Sequence, residues 1–142
     1  MELQSRIICG DSREALAELP DGVVDMIVTS PPYFQQRDYA DPRQVGLEPS
    51  RSDYVASLVQ IFDECRRVLK DSGTLWLNLG DKYRNGRLLG MPWRVAFAIE
   101  EAGWMLRSDV IWHKPNAMPH SVKTRPTPDH EYLFLFSKSK NY

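Results

Sequence analysis

The chain is poor in cysteine, has no dominant charge and contains no long apolar run. Each shortage excludes a class of protein. Its two cysteines among 142 residues, Cys9 and Cys65, lie far apart in apolar stretches. With no C-x-x-C pair and no Cys/His cluster, neither a disulfide scaffold nor a structural zinc is expected, and both thiols read as reduced core residues. No apolar run approaches the ~20 residues that cross a bilayer, and Met1 to Arg6 lacks a charged-then-apolar leader pattern. A cytoplasmic protein is the expectation. Formal net charge is −1, so any surface for a polyanion must be local. Repeats and low-complexity tracts are absent, and none of the three histidines has the surroundings of a catalytic base.

What is present is an alternation of short apolar runs and amphipathic stretches, which predicts an α/β fold in a single domain. Arg6 to Cys9 reads as a first strand, followed by a short helix to Leu19 that Ser12 can cap and Pro20-Asp21-Gly22 stops. Val23 to Thr29 reads as a second, buried strand. Ser50 and Asp53 form a capping-box pair opening a helix with an apolar stripe from Tyr54 to Leu69, ended by Asp71-Ser72-Gly73. Thr74 to Leu79 is a third strand. Pro92 opens a helix through Ala102, with Gly103 at its left-handed end. Leu106 to Trp112 and Tyr132 to Phe136 are strands four and five, separated by a proline-rich irregular segment from Lys114 to Asp129.

One tetrapeptide carries chemistry. The strand ending at Thr29 runs into Ser30-Pro31-Pro32-Tyr33, a stiff aromatic-tipped turn at a strand's carboxyl end, where open α/β sheets bind ligands. By composition this tetrapeptide should occur in about one chain of this size in a thousand. Two prolines can also simply end a strand or form a polyproline ligand, but such ligands sit in disordered tails and this pair abuts a central strand. An aromatic amine is a poor nucleophile because its lone pair is delocalised into the ring. Acceptors that hold both amine hydrogens redirect that lone pair. Ser30 offers its side-chain oxygen, and a proline-fixed backbone can aim the Pro31 carbonyl at the same amine. The Tyr33 ring can stack on a base swung out of a duplex.

The run from Cys9-Gly10-Asp11-Ser12 through Leu19-Pro20-Asp21-Gly22 to Asp25-Met26-Ile27-Val28-Thr29-Ser30-Pro31-Pro32-Tyr33 resembles the permuted class of site-specific DNA amino-methyltransferases. The likeness continues in Asn78-Leu79-Gly80-Asp81, Gly90-Met91-Pro92-Trp93-Arg94, Trp112-His113-Lys114-Pro115-Asn116, and Arg125-Pro126-Thr127 with His130-Glu131-Tyr132. It covers almost the whole chain. The resemblance implies a Rossmann-like fold with a mixed sheet, about five strands here, and S-adenosylmethionine as methyl donor. It also implies double-stranded DNA as partner, with methylation at N4 of cytosine, favoured by the serine, or N6 of adenine. Ser30, Pro31, Pro32 and Tyr33 would line the target-base pocket. Gly10 and Asp11, with Ser30, would adjoin the cofactor, Asp11 at its adenine; helix capping is the other reading of Asp11.

The chain departs from that family in lacking, after a strand, the F-x-G-x-G-type glycine turn that holds the cofactor's methionine part. It stops at Lys138-Ser139-Lys140-Asn141-Tyr142, so the expectation is a partial catalytic domain: either the chain is a fragment, or a second polypeptide or a symmetry mate completes the sheet. A catalytically silent binding or assembly module is the alternative. Lys114, Lys123 and Arg125, in a segment where acids are scarce, can track DNA phosphates or simply belong to a surface loop. Arg37, Arg43 and Arg51 are balanced by Asp38, Asp41, Glu48 and Asp53. Asp81 reads as a turn former, and Trp76, Trp93 and Trp104 as packing residues.

Overall fold

A computed structural model describes residues 5–142. Its elements follow in the order α1 (Ser12–Ala17), β1 (Val24–Thr29), α2 (Arg51–Val68), β2 (Leu69–Leu79), β3 (Tyr83–Arg84), β4 (Arg87–Leu88), α3 (Met91–Glu101), β5 (Met105–His113) and β6 (His130–Ser137). Strands β1, β2, β6 and β5 form one sheet in that spatial order, and β3 pairs with β4 in a small separate hairpin. The sheet is mixed: β1 runs parallel to β2, whereas β6 is antiparallel to both β2 and β5.

Period-2 alternation sorts the sheet's faces. Leu75, Leu77 and Leu79 of β2 pair with Phe136, Phe134 and Tyr132 of β6, and all but the partly buried Tyr132 are buried. Leu58, Phe62, Val95 and Ile99 from α2 and α3 close the same core. Burying one side chain of this size contributes about 1.5–3 kcal/mol. The opposite face carries Met26, Val28, Val110 and Trp112, all exposed.

Helix α2 starts as its sequence dictates: the Ser50 hydroxyl accepts from the Asp53 amide at 3.1 Å and donates to the Asp53 carboxylate at 2.6 Å. Its end differs from expectation. Leu69 is already extended, so helix passes straight into strand, and Asp71-Ser72-Gly73 lies within β2 opposite a bulge between Val24 and Met26. Gly73 is required there, because a Cβ would sit 2.6 Å from the Leu69 side chain and 2.9 Å from the Asp25 carbonyl.

Three further expectations are corrected. Among the described residues, Arg6 to Cys9 forms no strand and finds no ladder partner; Ile7 is 99% exposed, and unpaired backbone cannot hold a strand. The main sheet accordingly has four strands among the described residues. Cys9 is exposed, while Cys65 is buried as expected. Asp11, not Ser12, caps α1. No helix among the described residues is long and apolar enough to cross a membrane.

Candidate functional site

The topology gathers four strand ends at one edge of the sheet. Because β1 and β2 are parallel, their carboxyl ends lie together, presenting Ser30 to Tyr33 beside Asn78 to Gly80. Because β6 is antiparallel to both neighbours, it begins at that edge with His130 and Glu131, and β5 ends there just before Lys114.

These residues are joined through one hydroxyl. The Tyr33 hydroxyl lies 3.0 Å from Asn78 Oδ1 and 3.0 Å from Glu131 Oε2, and it accepts from the Ser30 hydroxyl at 3.3 Å. Asn78 is itself held by donating to the Tyr132 carbonyl at 3.1 Å. Lys114 forms an ion pair with the other oxygen of Glu131. Burial alone would push the Glu131 carboxyl up, but the hydrogen bonds from Lys114 and Tyr33 outweigh it and hold the pKa below its usual range. Burial, reinforced by the Glu131 charge and only partly offset by the Ser30 hydrogen bond, pushes the Tyr33 phenol up, so it remains a neutral donor.

Close packing fixes the turn. A Cβ on Gly80 would stand 2.7 Å from Tyr33 Cε2, so the ring fits only against glycine. The Tyr54 hydroxyl donates to the Pro32 carbonyl at 2.9 Å, pinning the diproline to α2. Gly46, at φ +109°, adopts a conformation that favours glycine and packs against Pro32, where a Cβ would approach the proline ring to 3.2 Å. Ser30 is exposed, and the prolines and Tyr33 are half-buried.

On the other side of the turn lies an open cleft of about 940 Å³. Gly10, Asp11, Ser30 and Pro31 line it together with apolar Ile27 and Phe62. Its size suits a cofactor, and its walls offer apolar surface for an aromatic heterocycle beside the side chains of Asp11, Asp41 and Arg43. Asp11 is already engaged: its Oδ1 accepts from the Arg13 amide at 2.9 Å and its Oδ2 from Arg13 Nη2 at 3.0 Å. Those bonds hold its carboxyl down at about 2. The capping reading of Asp11 is therefore realised, and its place in the cleft wall keeps the other role open to the remaining lone pairs.

The structure brings Ser30, Pro31, Pro32, Gly10 and Asp11 to one cleft and sends the Tyr33 hydroxyl to a polar cluster behind it. Lys114, Lys123 and Arg125 have different surroundings. Lys114 pairs with Glu131, Arg125 lies 3.2 Å over the Tyr83 ring, and Lys123 is exposed. Asp81 accepts from the Lys82 and Met91 amides at 2.8 and 3.2 Å, as its turn role requires. Sequence reasoning missed Asn78 and Glu131 as Tyr33's partners; both lie in quoted family segments, but nothing local links them to the turn. Among the described residues no group of three His, Cys, Asp or Glu side chains could hold a metal ion.

The N6/N4 methyltransferase family profile, described as DNA methylase, matches residues 24–142. The chain is 45% identical over 166 aligned residues to the type II methyltransferase M.SmaI of Serratia marcescens, covering 96% of the chain and 57% of that protein. Among solved structures it is similar to the cytosine-N4-specific PvuII DNA methyltransferase, with 25% identity and a TM-score of 0.76 over 92% of the chain and 48% of that protein. It is also similar to TTHA0409 of Thermus thermophilus, solved in complex with S-adenosyl-L-methionine, with 26% identity and a TM-score of 0.70 over 94% of the chain and 53% of that protein. The chain thus spans about half the length of these relatives.

Proposed function

Because the chain belongs to the N6/N4 DNA methylase family, we propose that it forms the target-base half of an enzyme that methylates an exocyclic base amine in duplex DNA. The methyl donor is S-adenosylmethionine, and N4 of cytosine is favoured over N6 of adenine. The observation that carries this reading is the hydrogen-bond chain through Tyr33. The Ser30 proton points to the Tyr33 hydroxyl. That leaves the Ser30 oxygen's lone pairs free to accept one amine hydrogen, beside the Pro31 carbonyl that accepts the other.

The roles follow from that arrangement. Ser30 and Pro31 hold the amine so that its nitrogen lone pair points away from the ring, and the turn, pinned by Tyr54 and Gly46, does not reorganise as charge develops. The Tyr33 ring, fixed through its hydroxyl, presents an aromatic surface to a base flipped from the stack. Asp11 and Gly10, which line the cleft, take the adenosyl end of the cofactor in this reading. When bound, the cofactor supplies an electrophilic methyl group; the chain's own part is positioning and electrostatics.

The test is a chimera in which residues 5–142 replace the matching segment of M.SmaI. Nucleosides from the DNA of cells expressing it are separated by mass spectrometry. N4-methylcytosine above background is expected; N6-methyladenine would reassign the base, and unmodified DNA from a folded chimera contradicts the reading.

The exposed Met26 and Val28, at 57% and 66%, favour a second element of the proposal. Strand β1 is an edge of the sheet among the described residues, and the remainder of a longer chain, a further polypeptide or a second copy covers it. An assembly module without activity would share that edge. Calorimetric titration of the chain with S-adenosylmethionine separates the two: heat of binding supports a working cofactor cleft, and its absence supports the silent module.

A further inference from the structure

A second cleft, of about 780 Å³, lies where the β3–β4 hairpin meets the first turns of α2 and α3. Arg51, Arg84, Arg87 and Arg94 line it over an apolar floor of Phe34 and Leu89. No carboxylate lines it. Among the described residues none of the four guanidinium groups reaches an acid within ion-pair distance. All four side chains are exposed. In a protein whose formal net charge is −1, four unneutralised guanidinium groups around one concavity are a concentrated positive field.

Two of the arginines are held by side-chain contacts. Arg94 Nε donates to the Leu89 carbonyl at 3.0 Å, and the Arg84 guanidinium lies 5.9 Å over the Phe34 ring while bonding the Gln35 side chain. The hairpin turn at Asn85 and Gly86, both at positive φ, is a tight two-residue connection that sets Arg84 and Arg87 side by side as the last ladder pair. The Lys82 ammonium donates to the Gln35 carbonyl at 2.6 Å, tying the hairpin's base to the segment after Tyr33. Phe34, the cleft floor, is the next residue after Tyr33. Guanidinium forks match phosphate oxygens bidentately, and phosphate contacts fix a protein's register on a duplex without reading its sequence.

We propose that this four-arginine cleft seats backbone phosphates of the DNA duplex, beside the turn that receives the target base. It rests on the methylase reading in taking DNA as substrate, and it assigns backbone contact to Arg51, Arg84, Arg87 and Arg94 in place of a share for the Lys114 to Asp129 segment. Each phosphate neutralised releases condensed counterions, so a contact is counted by the salt dependence of binding.

The experiment measures fluorescence anisotropy of a labelled duplex of arbitrary sequence with the chain, from 20 to 200 mM KCl. It compares the wild type with Arg51→Gln/Arg87→Gln and, as a second pair, Arg84→Gln/Arg94→Gln, each checked for fold by circular dichroism. Each pair is expected to reduce the slope of log K against log salt by about 1 to 2, and to weaken binding tenfold or more at low salt. Unchanged slope and affinity in both folded pairs, or no wild-type binding at 20 mM KCl, overturns the proposal. Tripolyphosphate is titrated in parallel: saturable arginine-dependent binding of it without arginine-dependent duplex binding reassigns the cleft to a small polyphosphate and also overturns it. None of these outcomes touches the methyl-transfer reading, which the M.SmaI chimera tests separately.

Discussion

Tyr33 and Glu131 are 98 positions apart in sequence, yet their side-chain oxygens lie 3.0 Å apart. The parallel β1–β2 pair and the antiparallel β6 make that meeting possible by bringing the end of one strand to the start of another. Lys114 on Glu131 and Ser30 on Tyr33 extend the contact at both ends. A half-buried carboxylate with its cation on one side and a phenol on the other orients the phenol, and the phenol orients the serine.

Tyr33→Phe and Glu131→Gln should therefore be coupled. Each single change is expected to destabilise the chain by about 1–2 kcal/mol, because a half-buried partner loses its hydrogen bond. The double variant should cost clearly less than the sum. Urea unfolding of the four proteins measures the cycle; strict additivity would show that the two side chains do not act together.

Gly80→Ala keeps a permitted backbone but puts a methyl where Tyr33 Cε2 lies 2.7 Å away. The ring must shift, at a cost of about 1–3 kcal/mol. In the M.SmaI chimera this change is expected to lower kcat with little change in KM for S-adenosylmethionine, since Gly80 is not in the cofactor cleft wall.

Much of this arrangement is legible in the chain and some is not. Ser30 to Tyr33 announces itself because its prolines follow directly on an apolar strand, and α2 because Ser50 and Asp53 stand at its start. Glu131 does not, since its partnership depends on the register of β6 against β2. Arg6 to Cys9 has a strand's composition, but composition supplies no neighbour for its backbone, and Ile7 stays in solvent. The β3–β4 hairpin had a local signal, the Asn85-Gly86 pair, obscured because its strands are only two residues each. The four arginines around it come from α2, the hairpin and α3, so no single stretch of sequence looks basic.

Asp11→Asn separates charge from capping. Asparagine caps as well as aspartate, so the variant loses mainly the carboxylate's interaction with Arg13. The Asp11 pKa is lowered from 3.8 to about 2, and a depressed carboxyl stabilises the fold above its unfolded pKa. The wild type should therefore melt above the variant at pH 5, with the gap closing as pH falls from about 4 towards 2. A gap that persists unchanged at pH 2 contradicts the assignment.

Val28→Lys places a charge on the exposed face of the edge strand β1, where Val28 is 66% exposed. Lysine on an edge blocks strand addition and apolar contact. Analytical ultracentrifugation should show less self-association than for the wild type, with unchanged helix content. Equal association would mean that this edge is not where copies meet.

Methyl transfer turns on the Ser30 oxygen holding the target amine. In the M.SmaI chimera, Ser30→Ala removes that oxygen from an exposed position where it makes one 3.3 Å hydrogen bond, so the fold should be kept. Steady-state methyl transfer to duplex DNA is expected to show kcat lower by about a hundredfold or more, with KM for S-adenosylmethionine within a few-fold of the parent chimera. A folded Ser30→Ala chimera that turns over at the parent rate would contradict it.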